Sequence, residues 1–436
     1  MHFVPNIPLR YSFLSSLTVL FFCSSVGQAQ ETPAFQSDHT RARNIVNLAR
    51  TNQTQEAIEQ TDPSLADTVR SMDPASQRTF AYLFNEKGVR LANEQKVSGA
   101  LPCLQLAVEL HPGQKVYQKN FSQMLIAAGQ ERYLSGDFSG AQKNLDLALQ
   151  YDSNNVGAMI ALSDVYYYSQ QMSKAKELLL KAQKLSGDSS EIGKRLEKIT
   201  GDERLEKGMK LAETEIFDIK FNKEIFVSYN IYDLKQTLRK AFREVGQNLH
   251  YYPHHTVAVI LYAEEDYRKL HEVPEWSSGA YDGKIRIPIP SNGNLENSRF
   301  KQIIWHEYTH AVIRDITAGN CPIWLNEGLA DYHGYLFAKF DPAPLRNAYL
   351  AGKLFTLKQL SEDFRTLTDT EKIRLAYAQS YSVVSFIIDR WGFYKLRHLL
   401  EASEKKLPVE GLIQSELNIR TDKFEVEWLK YLKKKL

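Results

Sequence analysis

The sequence predicts a multidomain protein in which an all-α array of helical repeats is followed by an α+β domain. Three observations carry the prediction. A register of small and apolar residues recurs three times between residues 80 and 187, the periodicity changes from helical to alternating at Phe217, and two histidines stand four residues apart at 306 and 310. The chain's 436 residues are 43% hydrophobic and 24% charged, enough for two or three domains at roughly 150 residues each. The 54 basic and 52 acidic residues leave a net charge of +2, which argues against a nucleic-acid binder. Three cysteines without CxxC spacing supply neither a disulfide framework nor a structural zinc site.

Residues 1–29 read as a secretory signal peptide. Arg10 is followed by the apolar run Phe13 to Cys23, and Gly27 and Ala29 are the small residues before a cleavage point. The run is too short for the roughly 20 residues of a permanent span. The expectation is an exported protein, periplasmic or extracellular in a bacterium, with no membrane span after cleavage. Only Cys103 and Cys321 then remain, and their separation argues against a disulfide. Residues 30–79 carry helical stretches interrupted at Pro63 and Pro74, which reads as a mobile or loosely docked lead-in.

The repeats occupy residues 80–187. Gly88, Gly129 and Ser163 each precede an alanine (Ala100, Ala141, Ala175) by 12 residues, and Leu104 and Ala107, Leu145 and Ala148, Leu179 and Ala182 follow at offsets of four and seven. Small residues at fixed spacing allow two helices to cross closely. Each helix pair has an apolar face that it cannot bury alone, so pairs stack into a curved array with a groove suited to a peptide or partner protein. The alternative, that the array only spaces or caps the second half, stays open. Residues 188–214, rich in Lys and Glu, read as a solvated helical linker.

From residue 215 short β-branched runs alternate with amphipathic helices. Phe217–Phe221, Thr256–Tyr262 and Lys284–Pro290 read as strands, and residues 231–250, 297–315, 323–338, 371–391 and 422–435 as helices. Pro288 and Pro290 lack N–H donors, which predicts an edge position for the end of that strand. Residues 215–436 therefore form an α+β domain.

The chemistry lies at residues 306–331. On a helix His306 and His310 project from one face, one turn apart, where both can reach one metal ion, with Glu307 beside them. The helix is otherwise apolar, and an interior tolerates polar groups only when they are paired. A catalytic zinc takes three protein ligands and keeps one open position. Glu327 follows His310 by 17 residues, enough for a turn near Asn320 to Pro322 and a returning antiparallel helix. Asp331, one turn further, is placed to accept the free ring N–H of His306.

The segments HEYTHAV (306–312), WLNEGLADY (324–332) and YAQSYSVVSFIIDRWG (377–392) resemble the glutamate-ligand zinc peptidases (gluzincins), in particular the peptidase MA-like domains. GALPCLQLAVELHP, GAQKNLDLALQYDS and KAKELLLKAQKLSG resemble second helices of tetratricopeptide repeats. The resemblance implies a tetratricopeptide-like array before a zincin-like metallopeptidase domain. It makes His306, His310 and Glu327 the zinc ligands, Glu307 the general base and Asp331 the residue that orients a ligand. In the aminopeptidase N type a Tyr-x-x-Gly tyrosine stabilises the oxyanion, and Tyr377, with Ser380 at the small position, aligns with it. Tyr381 is the fallback.

Gly279, Ala280 and Asp282 stand where those aminopeptidases carry a Gly-Ala-x-Glu amine-binding strand, but Asp282-Gly283 reads better as a hairpin turn. The strand after it could pair with an extended peptide laid across the metal. His254, His255, His271 and His333 receive no role. The function expected is an exported zinc metallopeptidase hydrolysing peptide bonds with zinc-activated water. Two other readings are a non-catalytic repeat-based interaction protein with a zinc-binding remnant and a zinc hydrolase of cell-wall amides.

Overall fold

The computed structural model describes residues 33–187, 189–222, 231–268, 280–289, 297–362, 364 and 367–436. The signal peptide, His271, Gly279 and Pro290 lie outside the described residues.

The lead-in is packed, which corrects the expectation of a loosely docked segment. Helices α1 (Pro33–Arg50), α2 (Thr54–Gln60) and α3 (Ala66–Arg70) bury Ala42, Ile45, Ile58 and Val69 in one core with Phe80, Phe84 and Leu104. The prolines start helical turns here. Pro63 and Pro74 each occupy a first position behind a capping aspartate, Asp62 or Asp73, where a missing N–H costs nothing.

Three helix pairs follow: α4 (Pro74–Asn93) with α5 (Val97–Leu110), α6 (Lys115–Leu134) with α7 (Phe138–Tyr151), and α8 (Val156–Tyr168) with α9 (Met172–Ser186). The small-residue register has a steric cause. A Cβ at Gly88 would lie 2.6 Å from Leu104 Cγ, and one at Gly129 2.7 Å from Leu145 Cγ, so each leucine of the second helix fills the place a side chain would take.

Helix α10 (Ser190–Leu205) is no solvated linker. It buries Ile192 and Ile199 against Met159, Tyr167 and Leu179. Its last turns also enter the second half. Arg286 donates to Asp202 (2.7 Å) and to Tyr262 Oη (2.7 Å), Tyr262 Oη donates to Glu206 (3.1 Å), and Lys220 pairs with Glu206 (2.8 Å). Charge content alone could not reveal that these acids have buried cationic partners.

The sheet is mixed, in the order β1 (Lys210–Glu213), β2 (Phe217–Phe221), β3 (Val257–Tyr262), β5 (Ile285–Pro288), β4 (Ala280–Tyr281). Strands β2, β3 and β5 run parallel, and β1 and β4 add antiparallel edges. Helix α11 (Ile231–Leu249) follows β2 and α12 (Glu264–Tyr267) follows β3. Every residue of β3 is buried because both faces are covered. Val257, Val259 and Leu261 face the main core, whereas Ile260 and Tyr262 pack with Tyr267 beside Leu205 and Met209.

The predicted edge position of β5 holds for part of the strand. β4 covers Ile285 and Arg286, and Pro288 lies past its end. Asp282 and Gly283 do form the turn of this hairpin, with Gly283 at φ +103, a conformation that favours glycine. The Asp282 carboxylate is engaged by Arg286 and Lys198.

The helical lobe contains α13 (Ser298–Thr317), α14 (Ile323–Gly334), α15 (Ala343–Leu350), α16 (Leu357–Leu360), α17 (Thr370–Ser403, broken at Gly392), α18 (Val409–Leu417) and α19 (Thr421–Lys435). Among the described residues no helix is long and apolar enough to cross a membrane. Cys103 and Cys321 are unpaired.

Candidate metal centre

Helix α13 starts at Asn297, whose side chain accepts from the Arg299 N–H, and buries Ile304, Trp305, Tyr308, Val312 and Ile313 in the core. That apolar stripe fixes the rotation of the helix and so turns His306 and His310 toward α14. The chain reverses through Ala318 and Gly319, and α14 begins after Pro322. The two helices are antiparallel, because the earlier histidine meets the later acid.

The side chains converge closely. His306 Nε2 and His310 Nε2 are 3.1 Å apart, and a Glu327 carboxylate oxygen lies 3.8 Å from the first and 3.5 Å from the second. Tetrahedral ligands at about 2.1 Å from zinc stand roughly 3.4 Å from one another, close to these separations. His306 Nδ1 is 3.1 Å from Asp331, and His310 Nδ1 is 3.0 Å from the side-chain oxygen of Asn326. Both partners are acceptors, so each Nδ1 carries the proton and each Nε2 presents a lone pair. Two lone pairs 3.1 Å apart, beside a carboxylate, repel unless a cation or proton lies between them.

Protonation follows the same logic. Burial alone would depress His306, but the Asp331 hydrogen bond, with Glu307 and Glu327 nearby, lifts it to about 9. His310 is likewise raised, burial being outweighed by Glu327. Burial also raises Glu307, against the pull of the two histidines, so this carboxylate has an enhanced appetite for protons. The donor set therefore fits a divalent cation held by His306, His310 and Glu327, with Glu307 at its side.

Asn326 was not recognisable in the sequence. Nothing in its type distinguishes it from an ordinary helical residue until the turn aims it at His310. The other orienting residue, Asp331, gives a direct expectation. Asp331→Asn should weaken zinc binding about 10- to 100-fold, measured by competition with a chromophoric chelator, since removing such partners typically has that effect. Unchanged affinity would show that Asp331 does not steer His306.

His333 is a pillar of the fold. Fully buried, it sits 3.1 Å from Thr309 Oγ1 and 3.1 Å from the Asn248 side-chain amide, and burial pushes it down to about 4. Thr309 already donates to the Trp305 carbonyl (2.6 Å), so it accepts from Nδ1–H of a neutral ring. This chain of bonds ties α11, α13 and α14 together beside the His306, His310 and Glu327 cluster. His255 pairs with Asp315 at 2.9 Å. Tyr377 is half-buried and packs edge-on against Phe364 with centroids 5.3 Å apart, and Tyr381 lies among Tyr332, Tyr335 and Phe340.

Residues 257–434 match the Peptidase MA superfamily and residues 133–197 match the tetratricopeptide repeat. The chain is similar to the first TPR of Spaghetti (RPAP3) bound to an HSP90 peptide, with 19% identity over 28% of this chain and 92% of that one and a TM-score of 0.23. It is also similar to MamA from Desulfovibrio magneticus RS-1, at 17% identity, 38% and 86% coverage and a TM-score of 0.24. A third similar structure is YrrB, a TPR protein with an unusual peptide-binding site, at 19% identity, 38% and 98% coverage and a TM-score of 0.21. No curated protein matches the chain.

Proposed function

We propose that this protein, whose chain carries a Peptidase MA superfamily domain behind tetratricopeptide repeats, is an exported zinc-dependent peptidase. The observation that carries the reading is the pair of Nε2 atoms brought to 3.1 Å, with a Glu327 oxygen beside both and Glu307 buried alongside. Zinc held by His306, His310 and Glu327 would supply Lewis acidity, which at neutral pH makes water a better nucleophile and an amide carbonyl a better electrophile.

The chain's own groups do the rest. Glu307 takes a proton from the attacking water as its oxygen bonds to the scissile carbonyl carbon. It then passes that proton to the amide nitrogen as the C–N bond breaks, releasing an acid and an amine. In this reading the Tyr377 hydroxyl donates to the carbonyl oxygen as charge develops there. Asp331 and Asn326 hold the two imidazoles in the tautomer that a metal needs. The repeats would bind a peptide or partner protein, and a cavity of ≈ 190 Å³ lined by Gln130, Tyr133, Leu134, Leu145, Ala161 and Asp164 offers room for a side chain.

Metal analysis of the purified chain followed by digestion of a proteome-derived peptide mixture tests the proposal. One zinc per chain and cleavage abolished by a chelator are expected. Stoichiometric zinc without cleavage would favour the non-catalytic interaction protein, and cleavage that survives complete metal removal would exclude the mechanism.

A further inference from the structure

The repeat array touches the histidine helix itself. Arg314 stands one turn after His310 on α13, and the guanidinium of this half-buried side chain, its Nη1 shielded from solvent, enters a box of aromatic rings from three successive repeat helices. The guanidinium carbon is 4.9 Å from the ring centroid of Tyr133 on α6, 5.6 Å from Tyr168 on α8 and 6.0 Å from Phe138 on α7. The rings also brace one another: Tyr133 lies 5.7 Å from Tyr168 and 5.9 Å from Phe138. Tyr281 of the β4–β5 hairpin also interacts electrostatically with the guanidinium, while Nη1 has no hydrogen-bond partner among the described residues, so the rings are its principal neighbours on that side.

A second grip follows at once. Asp315 pairs with His255, and Gly136, in the turn between α6 and α7, lies against both. A Cβ there would be 2.5 Å from His255 Nε2 and 2.9 Å from Asp315 Oδ1, and its φ of +80 favours glycine in any case. The His255 ring meets Phe138 edge-on at 5.1 Å. The repeats therefore hold the last turns of α13 from two sides. A helix is stiff over one turn, so movement at Arg314 is transmitted to His310.

We propose that Arg314 is a positioning residue through which the repeat array sets the pose of the histidine helix, so that the metal centre is completed by the repeats rather than merely attached to them. A desolvated guanidinium over aromatic rings contributes more than an exposed one, and three rings meet this cation. The proposal rests on the reading of His306, His310 and Glu327 as a metal site. It explains why the Arg314 guanidinium is shielded at Nη1, at a boundary between two modules where a solvated cation would carry no positional information.

The test uses the full chain loaded with Co²⁺, whose visible absorption reports ligand geometry whether or not the protein cleaves anything. Arg314→Ala should change the intensity of the cobalt bands and weaken metal binding about tenfold. Tyr133→Leu, a change confined to the repeats, should do the same, and Tyr133→Phe, which keeps the ring, should restore the native spectrum. Tyr167→Phe serves as the control, because it removes only a hydroxyl that bonds Arg286 and Asp202 at the same boundary, and keeps a ring that is not one of the three around Arg314. It should leave the spectrum unchanged.

If Arg314→Ala does not fold, Tyr133→Leu and Tyr133→Phe carry the decision. Native spectra and affinity in Tyr133→Leu, or an equal change in Tyr167→Phe, would overturn the proposal while leaving the metal site standing. Failure of the wild-type chain to bind metal would remove both.

Discussion

Glu307→Gln should retain one zinc per chain and lose about 10²- to 10⁴-fold in peptide hydrolysis, the usual contribution of a positioned general base. Zinc binding should survive because Glu307 is not among the three side chains whose donor atoms cluster within 4.8 Å. Activity is lost because glutamine has nearly the same shape but cannot accept a proton from water. Stability should not fall. Glu307 is only 5% exposed, and burial raises its pKa, so the ionised form is held at a cost that glutamine avoids. The measurement is kcat/KM on one cleaved peptide, with zinc content and melting temperature in parallel. Full activity in the variant would transfer the proton-accepting role elsewhere, and loss of zinc would mean that Glu307 is itself a ligand.

The sequence revealed the parts of this site that rest on helical periodicity. His306 and His310 at i and i+4, and Glu327 and Asp331 at the same spacing, share faces in any α-helix, so the only unknown was whether the two helices return antiparallel. The repeats were legible for a related reason. Gly88 against Leu104 and Gly129 against Leu145 are contacts within one helix pair, at a fixed sequence separation. What the sequence hid are contacts with no periodic signature. Asn326 bonds His310 because of a turn, Arg314 reaches Tyr133 across two modules, and the acids of α10 find Arg286 on a strand far along the chain. The lead-in was misjudged because Pro63 and Pro74 read as interruptions, whereas behind Asp62 and Asp73 they begin helical turns.

Gly328→Ala should destabilise the protein although alanine is the better helix former. The residue lies in the middle of α14, directly after Glu327. In isolation the substitution would gain roughly 1 kcal/mol from helix propensity. However, a Cβ at Gly328 would lie 2.4 Å from the carbonyl oxygen of Ser380 and 2.7 Å from Val384 Cγ2, where α14 crosses α17. The first of these is backbone within a helix, so it cannot rotate away, and the two helices must separate. Overpacking of this kind costs about 1–3 kcal/mol, occasionally more. The clash therefore outweighs the propensity. Glu327 must shift with its neighbour, so zinc affinity should fall together with the urea midpoint. Gly193→Ala provides the opposite case, because its Cβ would meet nothing within 4 Å in α10, and the propensity gain should appear there as a small increase in stability. Equal midpoints for the two variants would mean that Gly328 and Ser380 are not in contact and that α17 does not set the position of Glu327.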